Sequence, residues 1–455
     1  MKSLPLFFLL LVVGFGSALA QGIAFEPGDW KSVVAKAKAE NKLIFLDTYT
    51  TWCGPCKWMD KNVYPDAKVG ERFNAGFVNY KIDAEKGEGI TLAKKYQVTA
   101  YPTYLFVAAD ESLVYRTIGS RPVEKFIEEA DKAAEAGKGK PLSAYEAEYA
   151  AGKRDAAFLR EYLLKKKTLG YADAKLTDEY LNALPADSLR AASTLTLLTD
   201  RQNPPLILVG SKAYDVLAQA TMDQSLKMAD RTAVLMALQQ GIRASANQAA
   251  KEKNQTLFDR VLTANETLFA KTPAIAARQN AQLKMNFYKA TKDLPQYTAA
   301  TTEYVEKYLI PANLDSLRRR DAEMYRMQMY PYTSGKKDST SAEEKARFDQ
   351  IKRYFRSMQT DQLATQYNSA AWGFYETVSD KTQLEKALSW SQKSLDLNRS
   401  SAFLDTYAHL FYKLGRQKEA IQFQEEAIAV EKATGAEADT KSLEESLEKM
   451  KKKTL

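Results

Sequence analysis

The sequence predicts a multidomain chain: an α/β domain followed by a long all-helical array. Three observations carry this. An apolar run, Leu43 to Leu46, leads through Asp47 to Cys53-Gly54-Pro55-Cys56 and then to a helix-spaced stretch, in the order strand, turn, helix. Phe77 to Asp83 alternates apolar and polar residues, and two further strand-like runs at Val98 to Val107 and Leu113 to Ile118 supply the rest of a sheet. Beyond the Gly, Lys and Pro break at 137–141 the strand signals vanish, and Ala, Leu, Lys, Glu and Gln dominate.

Taken in order, the chain opens with Lys2 as its one early charge, an apolar run from Leu4 to Val13, and Ala18-Leu19-Ala20. That is the pattern of an export signal, expected at 1–20 and cleaved after Ala20. A membrane-spanning helix needs roughly 20 apolar residues, so the run is too short for an anchor. Trp30, Val33, Val34 and Ala37 have helical spacing and predict a helix over 30–40. Leu43 to Leu46 reads as a buried strand ending at Asp47, and Lys57 to Val69 as the helix after the C-x-x-C turn. Phe77–Asp83 is the second strand, Gly89–Tyr96 a short helix, and Val98–Val107 a strand entered through Pro102. Ala109–Ser112 turns into the strand at 113–118, and Pro122–Ala134 is an amphipathic helix. The sum is βα units, a hairpin and a closing helix, with helices on both faces of the sheet.

Cys53 and Cys56 are the two cysteines of the 455 residues, so thiol chemistry is confined to them. Such a pair can be a redox dithiol, half of a zinc site or a staple. A structural zinc needs about four N or S ligands, and the one histidine, His409, is far away in sequence and reads as an ordinary packing or surface residue. As a staple the bridge is weak, because closing so short a loop removes little unfolded-state entropy. At the first turn of a helix, unpaired N–H groups and the positive end of the dipole stabilise thiolate over thiol. This brings a cysteine from about 8.5 into the range of roughly 3.5 to 7.5. Cys53 is expected to be the exposed, attacking sulfur and Cys56 the more buried one that acts second. Pro55 is tolerated where a helix has no use for its N–H.

Residues 25–134 resemble a thioredoxin-fold domain, in the style of exported thioredoxin-like proteins and of the soluble C-terminal domain of the membrane thiol-reductant transporter. The matching residues are Trp52-Cys53-Gly54-Pro55-Cys56-Lys57, Asp47 six positions before the first cysteine, Tyr101-Pro102-Thr103, and Gly119 after the last strand. The resemblance implies Cys53 as nucleophile, Cys56 as resolving thiol, and Asp47 as a buried carboxylate that takes and returns the proton of Cys56. Desolvation in an apolar strand should raise the pKa of Asp47; the alternative is a strand-end Asp capping the following turn. The resemblance further implies that Pro102 is a cis-proline beside the dithiol. The backbone of Tyr101 then pairs with an extended substrate segment, and Trp52, Gly54 and Pro55 join Tyr101 and Pro102 in substrate binding. Tyr101 departs from the usual Ile or Thr before the proline, and the polar Thr48–Thr51 stretch replaces a more apolar approach to the motif. Lys81 is the candidate basic partner of Asp47, displaced from the family's position.

After a linker at 137–141, residues 142–330 read as a helical solenoid-like region, with helix pairs such as 145–149 with 158–163 and 281–288 with 297–308. Prolines at 185, 204, 205, 273 and 311 fall between the periodic stretches. A loop is expected over 331–341, and 342–455 as tetratricopeptide-like repeats with a helix near 442–451 at the end. Leu404, Tyr407, Ala408, Phe411, Gly415, Ala420 and Ala427 follow the small-and-large pattern of a tetratricopeptide repeat. Ala387 precedes Ala420 by 33 positions, against a nominal ~34. Arg318-Arg319-Arg320 and the methionines that follow read as a solvated helix face in preference to a contact patch.

A net charge of +8 from 65 basic and 57 acidic side chains is a modest excess and argues for no nucleic-acid partner. The expected function is therefore an exported, soluble periplasmic thiol-disulfide oxidoreductase that reduces protein disulfides, with the helical domain binding partners. Its partners would be disulfide-containing envelope proteins and an external thiol electron donor borne by the membrane. No metal and no cofactor beyond the Cys53-Cys56 pair are expected. The two-part pattern resembles proteins common in Bacteroidetes. The alternative is a helical-repeat scaffold of the cell envelope with the thioredoxin-like domain as a redox clamp or switch.

Overall fold

The computed structural model describes residues 22–200, 206–434 and 437–455. The expected export signal at 1–20 and the prolines at 204 and 205 lie outside the described residues. Two compact units divide between Gly241 and Ile242.

The first unit begins with the α/β domain. Its elements are α1 (Trp30–Glu40), β1 (Leu43–Tyr49), α2 (Gly54–Asn62), α3 (Ala67–Gly76), β2 (Phe77–Asp83), α4 (Glu88–Lys95), β3 (Thr103–Val107), β4 (Leu113–Ile118) and α5 (Val123–Ala136). The sheet order is β2-β1-β3-β4. β1 and β2 run parallel, while β3 is antiparallel to both β1 and β4. This is the mixed sheet of the thioredoxin fold that the sequence predicts.

The central strand β1 is apolar and buried along its middle. Its period of two turns Phe45 and Asp47 to one face and Ile44 and Leu46 to the other. Phe45 meets Phe73 of α3 at 4.7 Å, Phe73 stacks on Phe126 of α5 at 4.7 Å, and Met59 of α2 joins the same cluster. The opposite face is covered by α1, through Trp30, Val33 and Ala37, and by α4, through Leu92 and Ala93. A fully buried Phe of this kind contributes roughly 1.5–3 kcal/mol by burial alone. Asp47 therefore lies on the face covered by α2, α3 and α5, which is also the side from which the C-x-x-C helix approaches.

Two elements differ from expectation. The helix after the C-x-x-C turn does not run to Val69: it stops at Asn62, and a new helix starts at Ala67. Pro65 disfavours helical backbone at Tyr64, and Asp66 then caps α3 by accepting from the amides of Lys68 and Val69. The strand expected over 98–107 is regular only from Thr103, because Pro102 has no N–H to give to a ladder. Asp47 does not cap a turn, since β1 carries on past it to Tyr49.

The rest of the chain is helical. The first unit continues with α6 (Leu142–Ala150), α7 (Ala156–Thr168), α8 (Ala174–Asn182), α9 (Ala192–Leu198) and α10 (Lys212–Ala220), and the unit division falls within α11 (Met228–Glu252). Asp155, Asp173 and Ser211 cap α7, α8 and α10 through their side chains. The second unit contains α12 (Gln255–Leu268), α13 (Pro273–Thr291), α14 (Leu294–Tyr304), α15 (Leu314–Thr333), α16 (Ala342–Phe355), α17 (Met358–Thr377), α18 (Lys381–Leu397), α19 (Ser401–Lys413), α20 (Gln417–Thr434) and α21 (Glu437–Lys452). The loop expected to begin at 331 begins at Ser334, because α15 keeps Pro331 inside its last turn. α17 packs on α18 and α19 on α20, with Ala387 and Ala420 fully buried at the contacts. Gly415 makes the turn between α19 and α20 at φ +82°, a conformation that favours glycine. His409 is buried against the rings of Trp372 and Tyr375, a packing position. Among the described residues no helix is long and apolar enough to cross a membrane.

Candidate active site

Cys53 is the N-cap of α2, the residue whose side chain can satisfy a free amide at the helix start. Its sulfur accepts from the backbone N–H of Cys56 at 3.1 Å and is bonded to the sulfur of Cys56 at 2.02 Å. The pair thus sits at the positive end of a nine-residue helix, with Pro55 in the first turn where no amide is missed. One expectation fails here. Cys53 is no more exposed than Cys56: both are 3% exposed.

Asp47 is 1% exposed. Its Oδ2 accepts from the Tyr64 hydroxyl at 2.8 Å, and the Lys81 ammonium stands 3.6 Å from the same oxygen. Its Oδ1 is buried with no hydrogen-bond partner. Burial pushes the Asp47 carboxyl up to about 6, against the opposing pull of the Lys81 charge and the Tyr64 hydroxyl. Tyr64 is itself driven well above its ordinary value, first by burial and then by the Asp47 charge, so it stays a donor. The parallel register of β1 and β2 sets Lys81 opposite Asp47.

Of the residues expected to bind substrate, Trp52 meets Tyr101, and Gly54 and Pro55 line one groove. The Tyr101-Pro102 peptide is cis, and Pro102 is buried while Tyr101 is half-buried. The Pro102 carbonyl accepts from the amide of Gly119, which holds φ +92°. Among the described residues neither the amide nor the carbonyl of Tyr101 makes a backbone hydrogen bond. Trp52 is 65% exposed; its indole N–H donates to the Glu85 carboxylate at 3.0 Å, and its ring meets that of Tyr101 edge-on at 5.9 Å. Gly54 and Pro55 line an open groove of about 420 Å³ with Trp58, Ser120, Arg121 and Pro122. Trp52 and Trp58 are large apolar side chains left in solvent beside the disulfide.

Four residues of the site were not foreseen: Tyr64; Tyr104, the β3 register partner of Asp47; Asp60 of α2, which accepts from Lys81; and Glu85. Pro65 was the available signal for Tyr64, since a helix broken there turns the preceding residue off the helical spacing. Asp60 follows Cys56 by four positions and so shares its helix face. Glu85 left no signal, because a loop residue's partner is set by the fold. Among the described residues no group of three or more His, Cys, Asp or Glu side chains could hold a metal ion.

Known proteins resemble the α/β domain. The thioredoxin family model matches residues 23–132. Thioredoxin-1 of Drosophila melanogaster is 39% identical over 75 residues, which are 16% of this chain and 65% of the fly protein. Thioredoxin H4 of Arabidopsis thaliana is 32% identical over 91 residues, 20% of this chain and 71% of the plant protein. The chain belongs to the thioredoxin family. Its thioredoxin domain is a minor part of its length, and it spans just under two thirds of the fly relative. Among solved structures, a candidate disulphide-isomerase of Bacteroides thetaiotaomicron is 43% identical, with 27% of this chain and 99% of that one covered and a TM-score of 0.24. A thioredoxin of Thermus thermophilus is 27% identical, with 26% and 91% covered and a TM-score of 0.24.

Proposed function

We propose that the thioredoxin domain is a thiol-disulfide oxidoreductase that reduces disulfides of exported proteins. The observation that carries it is the Cys53-Cys56 pair capping α2 beside a buried carboxyl with one oxygen unpartnered. In the reduced form, the helix terminus stabilises the thiolate of Cys53, which attacks one sulfur of a partner disulfide. The partner's other sulfur leaves as a thiolate and a mixed disulfide to Cys53 remains. Cys56 gives its proton to Asp47 and attacks the Cys53 sulfur, releasing the second partner thiolate. Asp47 returns the proton to a departing thiolate, and solvent supplies the other. Two electrons have passed to the partner, and Cys53 and Cys56 are bonded as found here. A carboxyl titrating at about 6 is suited to both proton steps near neutral pH.

The free amide and carbonyl of Tyr101 give a partner segment a place to add as a strand, and exposed Trp52 and Trp58 give its side chains apolar contact. The chain's two cysteines form this one pair, so an external thiol donor must restore it. The helical pairs α17 with α18 and α19 with α20, with Ala387 and Ala420 buried 33 positions apart, support tetratricopeptide-like repeats that select partners. The apolar, small-residue pattern of residues 1–20 supports export to the periplasm.

The test is Cys56→Ser expressed in the native envelope, with partners sought as covalent complexes through Cys53. Reductant-sensitive complexes that disappear in Cys53→Ser are expected. Their absence, together with no reduction of insulin by the wild-type protein, would reject the reading.

A further inference from the structure

We propose that Asp60 is a positioning residue for the dithiol: it draws the Lys81 ammonium to its own side, away from close contact with Asp47, and so leaves that carboxyl free to take and return a proton. The inference rests on the proton-carrier role proposed above for Asp47.

The geometry is that of one cation between two acids. Lys81 of β2 donates to Oδ1 of Asp60 on α2, and Asp60 is exposed enough to be solvated. From Asp47 the same ammonium stands 3.6 Å away, at the Oδ2 that already accepts from Tyr64, and its closer contact is to Asp60. Three rings fix the ammonium in that place: Tyr49 at 4.7 Å, Tyr64 at 5.2 Å and Phe25 at 5.9 Å. Were Lys81 to close on Asp47, an opposite charge in direct contact would lower the carboxyl by roughly 1–3 pH units and take it out of the range useful for a thiol proton. Asp60 prevents this by occupying the ammonium from the solvent side. The helix supplies the reason for its position, since residues four apart share a face and Asp60 is four beyond Cys56.

The titratable and charged groups facing Asp47 are Lys81 from β2, its register partner Tyr104 from β3, Tyr64 from the turn between α2 and α3, and Asp60 from α2. Arg121 acts on Tyr104. Of these, Asp60 and Lys81 are partly exposed and can be exchanged without opening the core.

The experiment is a carboxyl ¹³C titration of the full-length oxidised protein labelled at aspartate, with Asp47→Asn identifying the resonance. Wild type, D60N, K81M and the D60N/K81M double variant are compared. D60N is expected to lower the Asp47 midpoint by about 1 pH unit, as Lys81 closes on it. K81M is expected to raise it by a similar amount. In the K81M background, D60N should move the midpoint by less than a third of its effect in wild type, because Asp60 acts through the lysine. An unmoved midpoint in D60N overturns the proposal, and so does an equal shift with and without Lys81, which would make Asp60 a distant charge only. The pH profile of insulin reduction is measured alongside. A profile that follows the carboxyl midpoint supports both the positioning and the proton role. A carboxyl that moves while turnover ignores it upholds the positioning of Lys81 and rejects Asp47 as proton carrier.

Discussion

Asp47 and Asp321 are both buried, one in each unit, and the fold treats them in opposite ways. Asp321 sits on α15 and spends both oxygens on the start of α17: Oδ1 accepts from the amide of Gln359 at 2.6 Å, and Oδ2 from the amide of Thr360 at 3.1 Å and its hydroxyl at 2.6 Å. These are orphan donors of a helix start, and a carboxylate there also meets the positive end of the dipole. Asp47 has one hydrogen bond, a lysine held at a distance, and an oxygen with no partner. A fully satisfied carboxylate is architecture. One left partly unsatisfied is costly to the fold, and that cost is what makes it ready to change its protonation state.

The largest test of this contrast is in activity. Cys53→Ser should lower insulin reduction by at least about 1000-fold, whereas Asp321→Ala should leave the rate per folded molecule unchanged. A large loss of rate in Asp321→Ala at full folding would erase the distinction between the two units.

Next come stabilities of opposite sign. Asp321→Ala strands two amides and a hydroxyl and should destabilise the second unit by about 3 kcal/mol in denaturant titration. For Asp47 the native state raises the carboxyl from 3.8 to about 6. Its contribution to stability is therefore complete below pH 3.8 and is lost as pH rises through about 6. Asp47→Asn should accordingly stabilise the first unit at pH 8 by up to about 3 kcal/mol and do nothing at pH 3. A destabilised Asp47→Asn at pH 8 would place Asp47 with Asp321 as a structural acid.

Smaller effects sharpen the substrate side. Trp52→Ala should raise KM for a protein disulfide roughly fivefold with little change in kcat, because the indole offers contact area and not chemistry. Gly119→Ala, at φ +92° beside the Pro102 carbonyl, should cost about 1 kcal/mol in a thermal melt and less than twofold in rate.

Much of this was legible in the amino-acid order. Local chemistry marked α1, β2 and β4 to the residue, since apolar periodicity and caps act over a few positions. The C-x-x-C motif could be read off directly, while Asp47 and the Tyr101-Pro102 pair were implied by the resemblance to a thioredoxin-fold domain. The break at Pro65 is also in the sequence, but the helix expected over 57–69 runs across it. The helical half was readable as helices yet not as a site, because its apolar faces report packing alone.

What the sequence determined by itself was therefore the reaction centre: two cysteines, at the start of a helix, after a strand that carries one acid. Tertiary structure alone decided how that acid behaves. Lys81 faces Asp47 only because β1 and β2 pair in parallel in one register, and Tyr64 reaches it only because the chain turns at Pro65. Asp60 engages Lys81 only because α2 packs over that face. Electrostatics depends on distance in space and on burial, and neither is fixed by order along a chain until the sheet closes.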